Sequence, residues 1–209
     1  MLINFDDIRN TIKQFNIEIT GVLHVGAHDC EEMSFYNYIG VHANDIVWLD
    51  ALESKVAQNK MRGIPNVYHA VVTDEDDSEV VFNVANNGQS SSVLDFGMHQ
   101  NYYPTITYVD KIVSKTITLN TFFQRNNIDG NKYNFWNFDI QGAELLALKG
   151  AVNHIGNAKI IYLEVNEKEV YKNCGLITEI DQLLSEFGFV RAITQMTSAG
   201  WGDALYVKI

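Results

Sequence analysis

Short apolar runs separated by amphipathic stretches set the pattern of this chain. Gly21–Val25 (GVLHV), Ile46–Leu49 (IVWL), Val67–Val72, Asn134–Asp139 (NFWNFD) and Lys159–Val165 (KIIYLEV) lack an in-and-out alternation and read as strands buried on both faces. Between them the apolar residues take helical spacing. Asn4–Phe15 repeats at Phe5, Ile8, Ile12 and Phe15, and helices are expected over Glu31–Ile39, Glu53–Arg62, Thr118–Gln124, the stretch after Gly142 and Leu176–Phe187. Strand and helix in this rhythm predict βαβ units and a parallel sheet. Phe189–Thr194 and Ala204–Ile209 read as two closing strands, with Trp201-Gly202-Asp203 as the turn between them. Glu79–Val84 alternates like a strand, whereas Asn86–Ser92 (NNGQSSS) is a loop. Val93–Ile117 reads as irregular and aromatic, and so long a loop is usually a lid or a binding surface. No repeat, linker or low-complexity segment divides the chain, so residues 1–209 form one α/β domain.

Charge narrows the choice of partner. There are 26 acidic against 15 basic residues, a formal net charge of −11. Nucleic acid is therefore an unexpected ligand, because its binding draws on lysine and arginine contacts to phosphate. Two cysteines, Cys30 and Cys174, make no disulfide framework and suit a reducing compartment, so a cytoplasmic location is expected. No apolar run approaches the ~18 residues of a membrane span, and no signal-peptide pattern opens the sequence.

The stretch Asn134–Ala151 carries the strongest chemical signal. Its strand ends at Asp139, and Glu144 falls in the first turn of the next helix. Ligands of open α/β sheets bind beyond the carboxyl ends of the strands. A carboxylate there either caps a helix or serves a ligand. The turn after the first strand points the same way. A dinucleotide fold places Gly-x-Gly-x-x-Gly there, but this chain has only Gly26, followed by Ala27, His28, Asp29, Cys30 and Glu31. Glu31 and Glu32 near a helix start would repel a pyrophosphate and tolerate a cationic ligand such as S-adenosylmethionine. Asp50 ends the second strand, where an acid can bond both ribose hydroxyls.

The pieces LHVGAHDCEE (23–32), VWLDALE (47–53), SSSVLDFGMH (90–99), FDIQGAELLALKGA (138–151), YLEVN (162–166) and GWGDALYVKI (200–209) together resemble the FkbM-type class I methyltransferases. The resemblance implies a Rossmann-like sheet of seven strands with the last one antiparallel and helices on both faces. It also implies S-adenosylmethionine as methyl donor, leaving S-adenosylhomocysteine, and O-methylation of a hydroxyl on a sugar or natural product. By position it assigns Gly26, Ala27 and His28 to the methionine end of the cofactor and Asp50 to the ribose. His24 and Ala51 fall among these cofactor positions but depart from the common residues, an acid and a proline. Ser90, Ser91 and Ser92 are assigned to cofactor or acceptor, with Ser91 the cofactor contact.

Methylating an alcohol requires a base near the attacking oxygen. Asp139 is the first candidate, followed by Glu164, His99 and His28. Asp139, Glu164 and Asn166 are also oxygen ligands that could hold Mg²⁺, though no metal-ligand spacing supports this and none is assigned. His99, Tyr102, Tyr103 and Tyr108 suggest an acceptor wall for a small molecule or oligosaccharide. Two other readings share the sheet: a nicotinamide-dependent dehydrogenase, which Asp50 would suit and the missing glycines oppose, and a catalytically silent nucleotide-binding module.

Overall fold

The computed structural model describes residues 1–209, and its elements follow from local residue choices. Helix α1 (Phe5–Gln14) opens where the Asn4 side chain accepts from the Asp6 N–H at 2.8 Å, with Asp6 and Asp7 in the first turn. This places acceptor and negative charge at the end of the helix that favours both. Strand β1 (Val22–Val25) is wholly buried. Helix α2 (Met33–Tyr38) is shorter than the Glu31–Ile39 expected. His28 and Cys30 both take the left-handed backbone region, at φ 41° and 55°, so the turn before the helix cannot be helical.

Strand β2 (Ile46–Asp50), helix α3 (Glu53–Met61) and strand β3 (Val67–His69) continue the alternation. The run expected as one strand over 67–72 is split at Ala70. Its second half, β4 (Val71–Val72), leaves for a separate three-stranded sheet with β5 (Glu79–Ala85) and β6 (Tyr108–Ile117), in the order β4-β6-β5. The irregular stretch expected over 93–117 is thus corrected: it contains a short helix, α4 (His99–Tyr102), and the ten-residue β6. Val109, Ile112 and Val113 of β6 are exposed alongside Asp110 and Lys111, so neither face of the ribbon is apolar and no alternation marks it.

Helix α5 (Leu119–Arg125), capped by Thr118, leads to β7 (Phe135–Phe138), α6 (Glu144–Lys149), β8 (Ile160–Asn166), α7 (Ile177–Glu186), β9 (Phe189–Met196) and β10 (Trp201–Lys208). Trp201–Asp203, expected as a turn, are the first residues of β10. The turn is Thr197–Gly200, where Gly200 at φ 87° supplies the left-handed residue.

The main sheet has the order β3-β2-β1-β7-β8-β10-β9. Six strands run the same way, and β10 runs against both β8 and β9. This is the Rossmann-like arrangement with a reversed last strand. Strand alternation sorts the core into two layers. Leu23, Val25, Val47 and Leu49 face α5, α6 and α7 in a 27-residue cluster, while Val22, Ile46 and Trp48 face α1, α2 and α3 in a cluster of 17. With both faces covered, the open surfaces of the sheet are its ends.

Candidate active site

Gly26 stands one residue beyond β1 because nothing larger fits there. Its φ is 96°, and a Cβ would lie 1.9 Å from the carbonyl oxygen of Asp139. The Asp139 N–H in turn donates to the Val25 carbonyl at 2.9 Å, drawing the ends of β1 and β7 together. Asp50, the last residue of β2, is held as firmly. Its carboxylate accepts the N–H of His28 at 2.7 Å through Oδ2 and that of Leu52 at 2.8 Å through Oδ1. Burial pushes its pKa up, while those two donors pull against the rise.

Beyond these strand ends lies a cavity of 530 Å³, within the range of small-ligand sites. Six carboxylate side chains line it (Glu31, Glu32, Asp50, Asp139, Glu164 and Asp203), and no lysine or arginine does.

Gln141 organises the acidic end. Its backbone is left-handed at φ 56°, which turns the side chain back toward the strand ends. Nε2 donates to Asp139 Oδ1 at 2.7 Å and to Glu164 Oε2 at 2.8 Å, and Oε1 accepts from the Tyr171 hydroxyl. The Ser92 hydroxyl donates to the Gln141 carbonyl at 2.8 Å. Glu144 completes the turn from beneath, its Oε1 accepting the N–H groups of Ile140 at 2.9 Å and Gly142 at 3.2 Å.

Asp139 is exposed to the cavity, whose surrounding protein mass pushes its pKa up to about 6, with Asp203 adding to the rise. Burial raises Glu144 to about 8 and holds Glu164 well above the usual carboxylate range. Asp203 accepts from the Tyr162 hydroxyl and the Leu2 N–H. The arrangement offers an ionised carboxylate, Asp139, beside groups that retain protons near neutral pH. Such a separation of pKa values is what acid–base chemistry needs.

The far wall comes from the loop between β5 and β6. His99 stacks on Phe96 at 4.3 Å, and Phe96 stacks on Tyr108 at 3.9 Å. The loop is docked on the segment after β8, with the N–H groups of Gly97 and His99 donating to the Val170 carbonyl at 2.9 and 3.0 Å. Burial lowers the pKa of His99, so its ring is neutral at pH 7.

Of the residues singled out in the sequence, Gly26, His28, Asp50, Ala51, Ser91, His99, Asp139 and Glu164 meet at this cavity. His24 and Ala27 do not, which corrects their expected place beside the cofactor. Strand alternation turns His24 onto the face of α1–α3, where its Nδ1 lies 2.8 Å from the Tyr36 hydroxyl and its ring 4.8 Å from that of Trp48. Ala27 is fully buried in the same layer. The suggested Mg²⁺ set is not assembled either, because Asn166 is 1% exposed and does not reach the cavity. His28 is engaged with Glu31 at 2.8 Å. The Ser91 hydroxyl donates to the Gly88 carbonyl at 2.7 Å and accepts from the Ala85 N–H at 3.0 Å, so it folds the loop. Of the suggested acceptor wall, Tyr103 lines the cavity with His99, whereas Tyr102 and Tyr108 do not.

Gln141, Tyr171 and Asp203 were not foreseen as site residues. Asp203 carried a signal: an acid following Gly202 at the head of an otherwise apolar run.

The sequence matches the methyltransferase FkbM domain over residues 24–191. No curated protein matches it. Two similar solved structures are a magnesium protoporphyrin IX methyltransferase from Synechocystis PCC 6803 with bound S-adenosylmethionine and an O-methyltransferase from Bacillus cereus in complex with S-adenosylhomocysteine. The first is 12% identical with a TM-score of 0.49, covering 98% of this chain and 78% of that one. The second is 12% identical with a TM-score of 0.48, covering 98% and 80%.

Proposed function

The chain belongs to the FkbM methyltransferase family, and from that premise we propose that it transfers a methyl group from S-adenosylmethionine to a hydroxyl of a sugar in a glycan. The observation that carries this reading is the charge of the cavity: six carboxylates and no lysine or arginine at the carboxyl ends of β1, β2, β7 and β8. A pyrophosphate would meet only repulsion there, which disfavours the dehydrogenase reading. A sulfonium is welcome. When bound, S-adenosylmethionine supplies an electrophilic methyl group on that sulfonium.

In this reading Gly26, His28, Asp50 and Ala51 hold the cofactor, Asp50 offering its remaining lone pairs to the ribose. The residues fit the group: Asp50 is 8% exposed and fixed by two backbone donors, so it presents a preset acceptor at the cavity wall. Asp139 takes the proton from the acceptor hydroxyl. Gln141 keeps that carboxylate aimed, and Glu164 shares the same amide donor. His99, neutral and on the aromatic wall, is placed to orient the acceptor or to relay its proton. Aromatic faces with convergent carboxylates suit a sugar, which presents C–H surfaces and hydroxyls together.

Thermal unfolding with S-adenosylhomocysteine, S-adenosylmethionine and NAD⁺ tests the class. A ligand at 100 times its dissociation constant stabilises the fold by about 2.7 kcal/mol. The adenosyl-sulfur ligands should raise the melting temperature and NAD⁺ should not. A shift from NAD⁺ alone would overturn the reading.

A further inference from the structure

One end of the cavity gathers more carboxyl groups than a single base requires. Glu164 and Asp203 stand directly opposite each other across β8 and β10, at 6% and 5% exposure. Like charges in that position destabilise a sheet, and buried carboxylates persist only with partners. Their hydrogen-bond partners here are uncharged: the Gln141 amide for Glu164, and the Tyr162 hydroxyl and Leu2 N–H for Asp203. The cavity lining offers these carboxyl groups no lysine or arginine, and Met1 brings its single ammonium against several of them. Asp139, on the same Gln141 amide, adds a third acid.

The same cavity presents an unpartnered polar ring. His99 is 5% exposed, and its ring makes no hydrogen bond, with Nδ1 wholly enclosed. Tyr103 and Tyr171 lie 5.1 and 5.5 Å from it, and Trp201 Nε1 donates to the Tyr103 hydroxyl at 3.0 Å. Aromatic faces beside carboxylates, with a neutral imidazole free to accept, recognise a cation bearing N–H or C–H groups.

We infer that Glu164, Asp203 and the aromatic wall around His99 bind an ammonium group carried by the acceptor, beside the hydroxyl that is methylated. The inference rests on the methyltransferase reading of this cavity and narrows its acceptor to an amino sugar. A metal ion fits less well. Only His28, Asp29 and Glu31 bring three ligand atoms within 4.8 Å of one another. Asp139, Glu164 and Asp203 do not bring three ligand atoms together in that way. Nor does the cofactor supply the missing charge throughout the reaction. S-adenosylmethionine brings one net positive charge, and its product S-adenosylhomocysteine brings none.

Calorimetric titration of the full chain loaded with S-adenosylhomocysteine compares glucosamine with N-acetylglucosamine and glucose, which share its ring and most of its hydroxyls. Glucosamine should bind about tenfold or more tightly than either, the worth of one charged hydrogen-bonded contact. Glu164→Gln and Asp203→Asn, each checked for native unfolding, should shrink that preference and leave the affinity for S-adenosylhomocysteine unchanged. Glucosamine binding no tighter than the neutral sugars, failing to bind, or keeping its preference in both variants would overturn the inference. If S-adenosylhomocysteine itself does not bind, the methyltransferase reading falls separately. The same three sugars titrated into the unloaded chain still decide the ammonium site.

Discussion

Two polar clusters on one sheet meet different fates. In mid-sheet, His24 and Asn137 are register partners on β1 and β7, and the Tyr36 hydroxyl bonds to both, at 2.8 Å each. Trp48 and Phe135 close over this group, which has no opening to the cavity. At the strand ends, Glu164 and Asp203 are nearly as buried, at 6% and 5% exposure, but they open onto the cavity together with Gln141 and the exposed Asp139. The first cluster is neutral, burial lowering His24 to about 3. The second keeps carboxylates with no lysine or arginine among them. Burial alone therefore does not mark function. A polar group between strands is there for packing, and one at the carboxyl ends is there for a ligand.

The largest test of this contrast is Asp139→Asn. It should lower methyl transfer by about 10²- to 10⁴-fold, the usual worth of a general base, with cofactor affinity and melting temperature preserved. In the unaltered enzyme, kcat should rise with pH through a value near 6 and then level off, since a base with that pKa acts only when ionised. Full turnover in the variant would remove Asp139 from the chemistry.

Tyr36→Phe probes the sealed cluster. It strips a partner from both His24 and Asn137 and should cost about 1–3 kcal/mol in denaturant unfolding, with kcat per folded molecule unchanged. A drop in kcat without loss of stability would show that the two clusters communicate.

The smallest and most discriminating test is pH. Glu144, raised from 4.5 to about 8, holds in the native state a proton that the unfolded chain releases. Its contribution is therefore full below pH 4.5 and is lost as pH rises through 8. His24, lowered from 6.5 to about 3, works the other way: its contribution is full above pH 6.5 and is lost as pH falls toward 3. Glu144→Gln, whose amide oxygen can still accept from Ile140 and Gly142, should flatten the fall in stability between pH 4.5 and 8 and leave the limb below pH 4.5 alone. An unchanged slope between pH 4.5 and 8 would mean that Glu144 is not the group that titrates.

Much of this was legible in the sequence. The buried runs gave the parallel sheet, because strands covered on both faces show as continuous apolar segments. Asp139, Glu164 and Asp50 could be placed because each ends or nearly ends such a run. β6 could not be seen, since a ribbon exposed on both sides has no alternation to read. Gln141 carries no readable signal, because its role depends on a left-handed backbone that places one amide between two acids. His24 was misassigned although the signal was present. Leu23 and Val25 face one layer, so His24 must face the other, away from the strand ends.

The docking of the β5–β6 loop divides it into a fixed part and a free part. Ser92 is tied to Gln141, Asp95 accepts the Lys172 N–H at 2.8 Å, and Gly97 and His99 are bonded to the segment after β8. Tyr102, Pro104 and Thr105, by contrast, are exposed. Within this stretch Tyr103 is itself held by Trp201 Nε1, and Asn86 ties Thr105 and Thr107, so the exchangeable positions are Gln100–Tyr102 and Pro104. In the proposed reaction they can be rewritten, by drift or by grafting, to admit a different acceptor while the anchors keep Asp139 and the Gln141 amide in register.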